Sequence, residues 1–569
     1  MLDAVIRNGE VIDGSGGPRR RADVGILDGR CVTIGAVEEA ARRTLDADGK
    51  VVTPGFIDVH THYDAQVFWD GALTPSPFHG VTTALAGNCG FSIAPVDADS
   101  ASYVMRMLAR VEGIPLETLE AAVPWNWRTT GEYLDRLEGR IGVNLGVLVG
   151  HSALRRAVMG PAAGERAASD DEVSRMERLL REGLGSGAIG FSSSRGPVHT
   201  DGDGSPVPSR FADRREFLAL SRVVAEFEGT SLEMIPAGFG PEDTELMSAM
   251  SVAARRPLNW NVMFPTASNL AECESQLEAS AGAATLSARV VALAMPLPRI
   301  SLRSFLTGFV FDALPGWGPA MALPPEAKLA MFRDPTQRKR LLELSQQPSP
   351  LRSAADWGEM LIVQGFTPAT QAYEGRKVGD IAAARDQEPF DALIDIVCAD
   401  ELRTIFRRYT PEDTDADWRA RARLIGDRRV LIGGSDAGAH LDMLATFTYT
   451  TVLLQALVRE TQIMPLEQLV HHMTGEPASL YGLRDRGILR AGARADLVIM
   501  DPATVGPKPV HTRMDLPAGA GRLYAEAEGI DLVMVNGREV VTGGELTGDL
   551  PGEVLRAGRD TAGTTLDGV

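Results

Sequence analysis

Two hydrophobic rhythms alternate along this chain. Over the first fifty residues, short β-branched runs are separated by turn signals: AVIRNGEVIDG carries Asn8 and Gly9, and ADVGILDGRCVTIG carries Asp28 and Gly29. Each pair reads as the turn of a β-hairpin. The same style returns near the far end in ADLVIMD and DLVMVNGREVVTGG, with Asn536 and Gly537 at the turn. The two ends echo each other: Asp3, Val5, Asn8, Gly9, Glu10 and Val11 resemble Asp531, Val533, Asn536, Gly537, Glu539 and Val540, with one-residue shifts. This predicts one small β-sandwich built from both termini.

Between the ends, apolar runs alternate with amphipathic segments, the signature of βα units. The runs GFIDVHTH, VTTALAG, NLGVLVG, AIGFSSS, TSLEMI, PLNWNVM, VVALAMP and VLIGGSDAG predict the strands of an α/β fold, a closed (β/α)8 TIM-like barrel. In DDEVSRMERLLREGLGSG, Val173, Met176, Leu179 and Leu180 follow helical spacing and a glycine closes the segment. The seventh and eighth runs are separated by about 130 residues, Pro298 to Arg429, far more than one crossover helix needs. A large insertion between barrel strands 7 and 8 is expected there, a lid or small subdomain on the substrate face. The expected domains are residues 1–52 and 481–569 for the two parts of the sandwich, and 53–480 for the barrel with its insertion at 298–429. After Gly552 the chain reads as weakly structured, since AGTTLDGV offers little to bury.

With 569 residues, 44% hydrophobic and 23% charged, the chain has room for a large core and no bias towards disorder. Its net charge of −19 opposes a nucleic-acid or anionic-membrane partner. Cys31, Cys89, Cys273 and Cys398 lack paired spacing and fit a reducing compartment. The N-terminus shows no basic segment followed by an apolar one, and no apolar run is long enough to cross a bilayer. A cytoplasmic enzyme is expected. Barrels of this size often pair, so a homo-oligomer is compatible.

The chemistry concentrates at predicted strand ends. His60 and His62 are one residue apart, and in a strand residues i and i+2 share a face, so both imidazoles can converge on one ion. Cys89 follows the second run in GNCGFSIAP, His151 the third in VLVGHSALR, and Asp436 the last in GGSDAGAH. Each has a plainer reading: a small buried hydrophobe for Cys89, a hydrogen-bonded structural histidine for His151, an N-cap or Asx-turn for Asp436. His440 is read as backing the ligands or facing substrate rather than as a ligand, and His471 and His472 as structural or helix-capping. His79, His199 and His511 carry no usable signal.

Together, VTPGFIDVHTHYD, GVTTALAGNCGFSIAPV, NLGVLVGHSALRRAVMG, GGSDAGAH and HHMTGEPASLYGLRDRGILRAGARADLVIMDP resemble the metal-dependent amidohydrolase superfamily, specifically its D-aminoacylase branch. The resemblance covers nearly the whole chain. It implies a barrel plus a small sandwich, and amide hydrolysis at a zinc-type centre. One departure is evident: the branch carries metal-binding histidines after the fifth and sixth strands, where this chain reads TSLEMIPAG and PLNWNVMFP. Glu233 is the nearest ligand-capable group, followed by Asn259 and Asn261, and AIGFSSS offers no lysine to bridge two metals.

The expected centre is therefore altered: a divalent metal, zinc by its donors, as one or two ions, held by His60, His62 and Asp436 with Cys89 or Glu233. Asp436 would act as general base and His151 would stabilise the oxyanion. The substrate would be an N-acyl-D-amino acid or related acylated small molecule. Arg195 and Arg210 are candidates for its carboxylate, and Trp317 in LPGWGP for its acyl wall, with ordinary loop arginines and a packing tryptophan as the plainer readings. Two rivals stand beside this: a cyclic amide or lactone hydrolase on the same scaffold, and a metal-free binding protein.

Overall fold

A computed structural model describes residues 1–566 apart from 299, 309, 350, 411 and 412. Its centre is a succession of buried parallel strands: β1 (Phe56–Asp58 continuing in His60–Thr61), β2 (Val81–Ala86), β3 (Asn144–Val147 and Val149–Gly150), β4 (Gly190–Ser194), β5 (Ser231–Ile235), β6 (Leu258–Met263), β7 (Val290–Ala294) and β8 (Val430–Ile432 and Gly434–Ala437). Each pairs in parallel with the next, and β8 pairs with β1 through Gly434 and His60. Covered on both faces, these strands are buried along nearly their whole length rather than at alternate positions, as in parallel sheets, and the polar residues they carry are buried too.

The helices that cover them include α1 (Ala98–Val111), α2 (His151–Met159), α3 (Asp170–Gly185), α4 (Arg214–Val224), α5 (Pro241–Ala254) and α6 (Asp415–Ile425). Helix α3 starts at a Ser169 capping box with Glu172 and buries Val173, Met176, Leu180 and Leu184 against the strands.

At the ends of the chain, one seven-stranded sheet mixes N-terminal and C-terminal segments, with Val51–Pro54 paired to Leu497–Met500. A four-stranded sheet built from residues 2–46 lies beside it, and residues of both sheets share one apolar cluster. The turns at Asp28–Gly29 and Asn536–Gly537 close hairpins as expected. Asn8–Gly9 does not. Leu2–Arg7 pairs with Asp23–Leu27 and Ala41–Asp46, whereas Glu10–Val11 pairs in the other sheet, so the chain crosses between sheets at this turn.

The stretch after Gly552 also departs from expectation. Val554 and Leu555 are buried and add a parallel strand to Leu145 and Gly146 of β3, while the Ala562 N–H donates to the Gly482 carbonyl. The last three residues of AGTTLDGV, 567–569, lie outside the described residues.

Between β7 and β8 the chain builds its own apolar cluster around Phe305, Phe311, Trp317, Trp357, Phe390 and Phe406. Helix α6 does not belong to it, since Leu424 and Ile425 pack in the main core. Trp317 is fully buried in this cluster, stacked on Trp357 at 5.4 Å with its indole N–H donating to the Leu341 carbonyl at 3.0 Å. It holds the insertion together and walls no substrate pocket, which corrects the sequence reading. Trp317→Ala should cost about 3–5 kcal/mol, seen as faster hydrogen exchange of amides in residues 305–406. Unchanged protection there would refute the assignment.

Candidate metal centre and active site

Alternation along β1 does bring His60 and His62 together, with ring centroids 5.2 Å apart. Cys89 follows β2 in a turn entered through Gly87 (φ +76°), where a Cβ would overlap the Leu148 carbonyl. The Cys89 Sγ lies 3.4 Å from His60 Nε2 and 3.8 Å from His62 Nε2. From the end of β8, Asp436 Oδ1 reaches His62 Nε2 at 3.0 Å and His60 Nε2 at 3.5 Å. Its Oδ2 faces His440 Nε2 at 3.8 Å. Cys89, Asp436 and His440 all hold left-handed φ values (+57°, +59° and +48°), backbone strain of the kind that collects at functional sites.

Glu112 and His199, which the sequence pattern does not mark, complete the chamber. Glu112 caps the C-terminus of α1 and places Oε1 3.4 Å from His62 Nδ1. His199 stands in the loop after β4, its Nδ1 2.7 Å from Ser194 Oγ. These side chains line an inner chamber of about 120 Å³ with no lysine or arginine among its described lining residues. The chamber opens into an outer cavity of about 460 Å³ that Arg303 and Arg408 of the insertion help to line, and that still reaches Asp436 and His440.

Other expected site residues lie elsewhere. His151 is the first residue of α2 and is fully buried away from the chamber, with Nδ1 2.8 Å from Ser193 Oγ and Nε2 2.8 Å from Glu216 Oε1. Glu216 is also held by Arg155 at 2.5 Å, so the histidine knits α2, β4 and α4 together and cannot meet an oxyanion. Arg195 is ion-paired with Asp243 at 2.6 Å and Glu242 at 3.1 Å near the start of α5. Arg210 donates to the Pro197 and His199 carbonyls at 3.2 and 3.3 Å, bracing the His199 loop. Neither arginine lines the inner chamber or the outer cavity.

Glu233 is adjacent but occupied. Its Oε2 accepts the Cys89 N–H at 2.9 Å and its Oε1 accepts from Asn261 Nδ2. Asn259 instead donates to the Val291 carbonyl at 3.1 Å.

Electrostatically the chamber is a concentration of buried acid. Burial pushes Glu233 up to about 8, and Asp58 and Asp64 up to about 7. Burial, then the carboxylates of Asp436, Asp64 and Glu233, hold Glu112 well above the usual range. Burial and those same acids likewise raise the Cys89 thiol. Asp436 goes the other way: burial opposes its charge, but hydrogen bonds from His60 and His62 hold it well below the ordinary carboxylate range. Burial lowers His199 to about 3, with His440 adding to the effect.

This donor set suits a divalent cation. His60, His62 and Cys89 form one compact group of ligand atoms, and His62, Glu112 and Asp436 another. Nitrogen, sulfur and oxygen donors of this kind are those zinc accepts. A dication would offset the carboxylates and draw the buried thiol to thiolate, the form in which cysteine binds metal.

Comparison with known proteins shows the family. The amidohydrolase family model matches residues 43–310 and 370–541. The chain belongs to the amidohydrolase family. It is 31% identical over 536 residues to an uncharacterized protein of Mycobacterium tuberculosis, covering 88% of this chain and 84% of that one. A D-aminoacylase of Alcaligenes xylosoxydans xylosoxydans is 29% identical over 565 residues, 97% of each chain. Among solved structures, an N-acyl-D-glutamate deacylase from Bordetella bronchiseptica, complexed with zinc and a phosphonate mimic of the tetrahedral intermediate, superposes with a TM-score of 0.67 at 26% identity, covering 98% of this chain and all of that one. The amidohydrolase chain described here therefore shares its α/β fold with these deacylases. The family match skips residues 311–369, which include Trp317. No helix among the described residues is long and apolar enough to cross a membrane.

Proposed function

We propose that this amidohydrolase cleaves the amide C–N bond of an N-acyl-D-amino acid or a closely related acylated small molecule. The observation that carries the reading is the convergence of His60, His62, Cys89 and Asp436 on one chamber, together with full-length relatedness to D-aminoacylase. The cyclic sequence of parallel pairings supports a closed (β/α)8 barrel, and the mixed terminal sheet supports a sandwich built from both ends. The insertion's separate core and its position on the outer cavity support a subdomain that shapes substrate access. Its four free cysteines suit the cytoplasm.

His60, His62, Cys89 and Asp436 would hold the ion. A bound divalent metal, zinc by this donor set, supplies water acidified towards neutrality and polarises the scissile carbonyl. Asp436 is the carboxylate placed to take the attacking water's proton and return it to the leaving nitrogen, because its Oδ2 is turned towards the cavity side near His440. His440 and His199 line the chamber where the scissile group enters and are placed to orient it.

In the outer cavity, Arg303 and Arg408 replace Arg195 and Arg210 as candidates for the substrate carboxylate. Arg408 is half-anchored by Asp356 at 3.1 Å, and the Arg303 backbone is fixed to Phe406 by paired hydrogen bonds of 2.7 and 3.0 Å. A charge-assisted contact of this kind contributes about 1.5–3 kcal/mol. Arg303→Ala should therefore reduce kcat/KM for N-acyl amino acids about 10- to 100-fold, mostly through KM. An unchanged KM would remove Arg303 from substrate binding.

The function itself is tested with a panel of N-acyl-D- and N-acyl-L-amino acids, hydantoins, dihydropyrimidines and lactones, alongside bound-metal analysis. Turnover confined to N-acyl-D-amino acids, with zinc present, is expected. Preference for a cyclic amide or lactone would transfer the protein to the first rival, and a metal-free protein inert to the whole panel to the second.

A further inference from the structure

Glu112 is expensive where it stands. It caps the C-terminal end of α1, where the helix dipole disfavours negative charge. It is only 3% exposed, and no lysine or arginine among the described residues lines the chamber it enters. Burying a carboxylate without a cationic partner is among the costlier arrangements a fold can hold. Local rules broken together in this way mark a functional position.

The geometry around it shows what that position does. The Oε1 of Glu112 lies 3.4 Å from His62 Nδ1, and this nitrogen has no hydrogen-bond partner among the described residues. The opposite ring nitrogen, His62 Nε2, faces Asp436 Oδ1 at 3.0 Å and Cys89 Sγ at 3.8 Å. One side of the imidazole thus meets the donor cluster, and the other meets a carboxylate carried by an element outside the ring of strands. The main chain of the same residue is pinned as well, because the Glu112 carbonyl accepts the His440 N–H. Helix α1 therefore reaches the β1 and β8 sides of the site through one residue.

We propose that Glu112 is a positioning residue of the metal centre: once the ion is held, it closes the 3.4 Å gap to accept the Nδ1–H of His62 and so keeps the Nε2 lone pair turned to the ion. A ligating histidine's other N–H is commonly held by a carboxylate, which fixes both tautomer and ring orientation. The inference rests on the metal-hydrolase reading above, and it adds a residue contributed by the helix after β2 rather than by a strand end.

Zinc affinity of the full chain, measured by competition with a chromophoric chelator for wild type, Glu112→Gln and Glu112→Ala, tests it. Loss of such a carboxylate typically costs 10- to 100-fold in metal affinity. Glu112→Ala should fall in that range. Glu112→Gln keeps an acceptor oxygen without the charge, and should fall between it and wild type, with the metal-free melting temperature no lower than that of wild type. Nitrogen-15 spectra should show His62 protonated at Nδ1 in the zinc-loaded wild type. If Glu112→Ala does not fold, Glu112→Gln decides alone. Wild-type zinc affinity in Glu112→Gln and in any folded Glu112→Ala, or His62 protonated at Nε2, would overturn the assignment and leave the metal centre standing. A wild-type chain that binds no zinc would sink the metal-hydrolase reading and this inference with it.

Discussion

Asparagine in place of Asp436 is expected to lower kcat by about 10³-fold, within the range by which a positioned proton carrier accelerates a reaction. The substitution is nearly isosteric. Its amide oxygen still presents a lone pair to the ion, so the side chain can keep the place that Asp436 Oδ1 holds 3.0 Å from His62 Nε2. What disappears is a group able to carry a proton between water and the leaving nitrogen. Asp436 is suited to that task because His60 and His62 hold it ionised in spite of its burial. Its role as a ligand and its role as a proton carrier separate in one measurement. The Asp436→Asn protein saturated with zinc should remain slow, whereas a pure ligand defect would recover as zinc is added. A kcat within tenfold of wild type at saturating zinc would show that the proton passes through another group.

The centre of this site was legible because its residues are fixed by local rules. Strand alternation alone places His60 beside His62, and strand ends of a parallel fold gather Cys89 and Asp436. Glu112 was not legible. In RMLARVEG it reads as an ordinary charge at the end of an amphipathic helix, and only the docking of α1 against the strand ends carries it to His62. His199 hides for a similar reason, since it sits in a loop with no periodicity to give its direction.

His151 shows the converse. A position one residue beyond a strand suggests the pocket, but the chain has already entered α2 there, and strand parity no longer dictates which way the ring points. The turn at Asn8–Gly9 is a turn, yet local sequence cannot tell a hairpin from a crossing between sheets, because the choice depends on residues 51–52, which pair with Glu10 and Val11. Trp317 could be read as an acyl wall because LPGWGP gives no periodicity to tell a wall from a core position, and only the insertion's own apolar cluster decides for packing.

Stripping the metal should abolish hydrolysis, and the manner of its return distinguishes this chain from a two-metal hydrolase. After dialysis against chelator, activity should fall at least 10³-fold, because both the acidified water and the polarised carbonyl depend on the ion. One equivalent of zinc per chain should restore it; magnesium and calcium should not, since hard cations prefer all-oxygen sites over imidazole and thiol donors. The single equivalent follows from what strands β5 and β6 present. Glu233 spends one carboxylate oxygen on the Cys89 N–H and the other on Asn261 Nδ2, and Asn259 is turned to a β7 carbonyl. These groups brace the Cys89 turn, and little remains on that side to hold a second ion. Calorimetric titration of the metal-free chain should therefore show one tight zinc site, and Glu233→Gln should preserve the stoichiometry. Two tight equivalents, with one lost in Glu233→Gln, would mean that Glu233 swings from its present partners to a second ion and that the centre is binuclear.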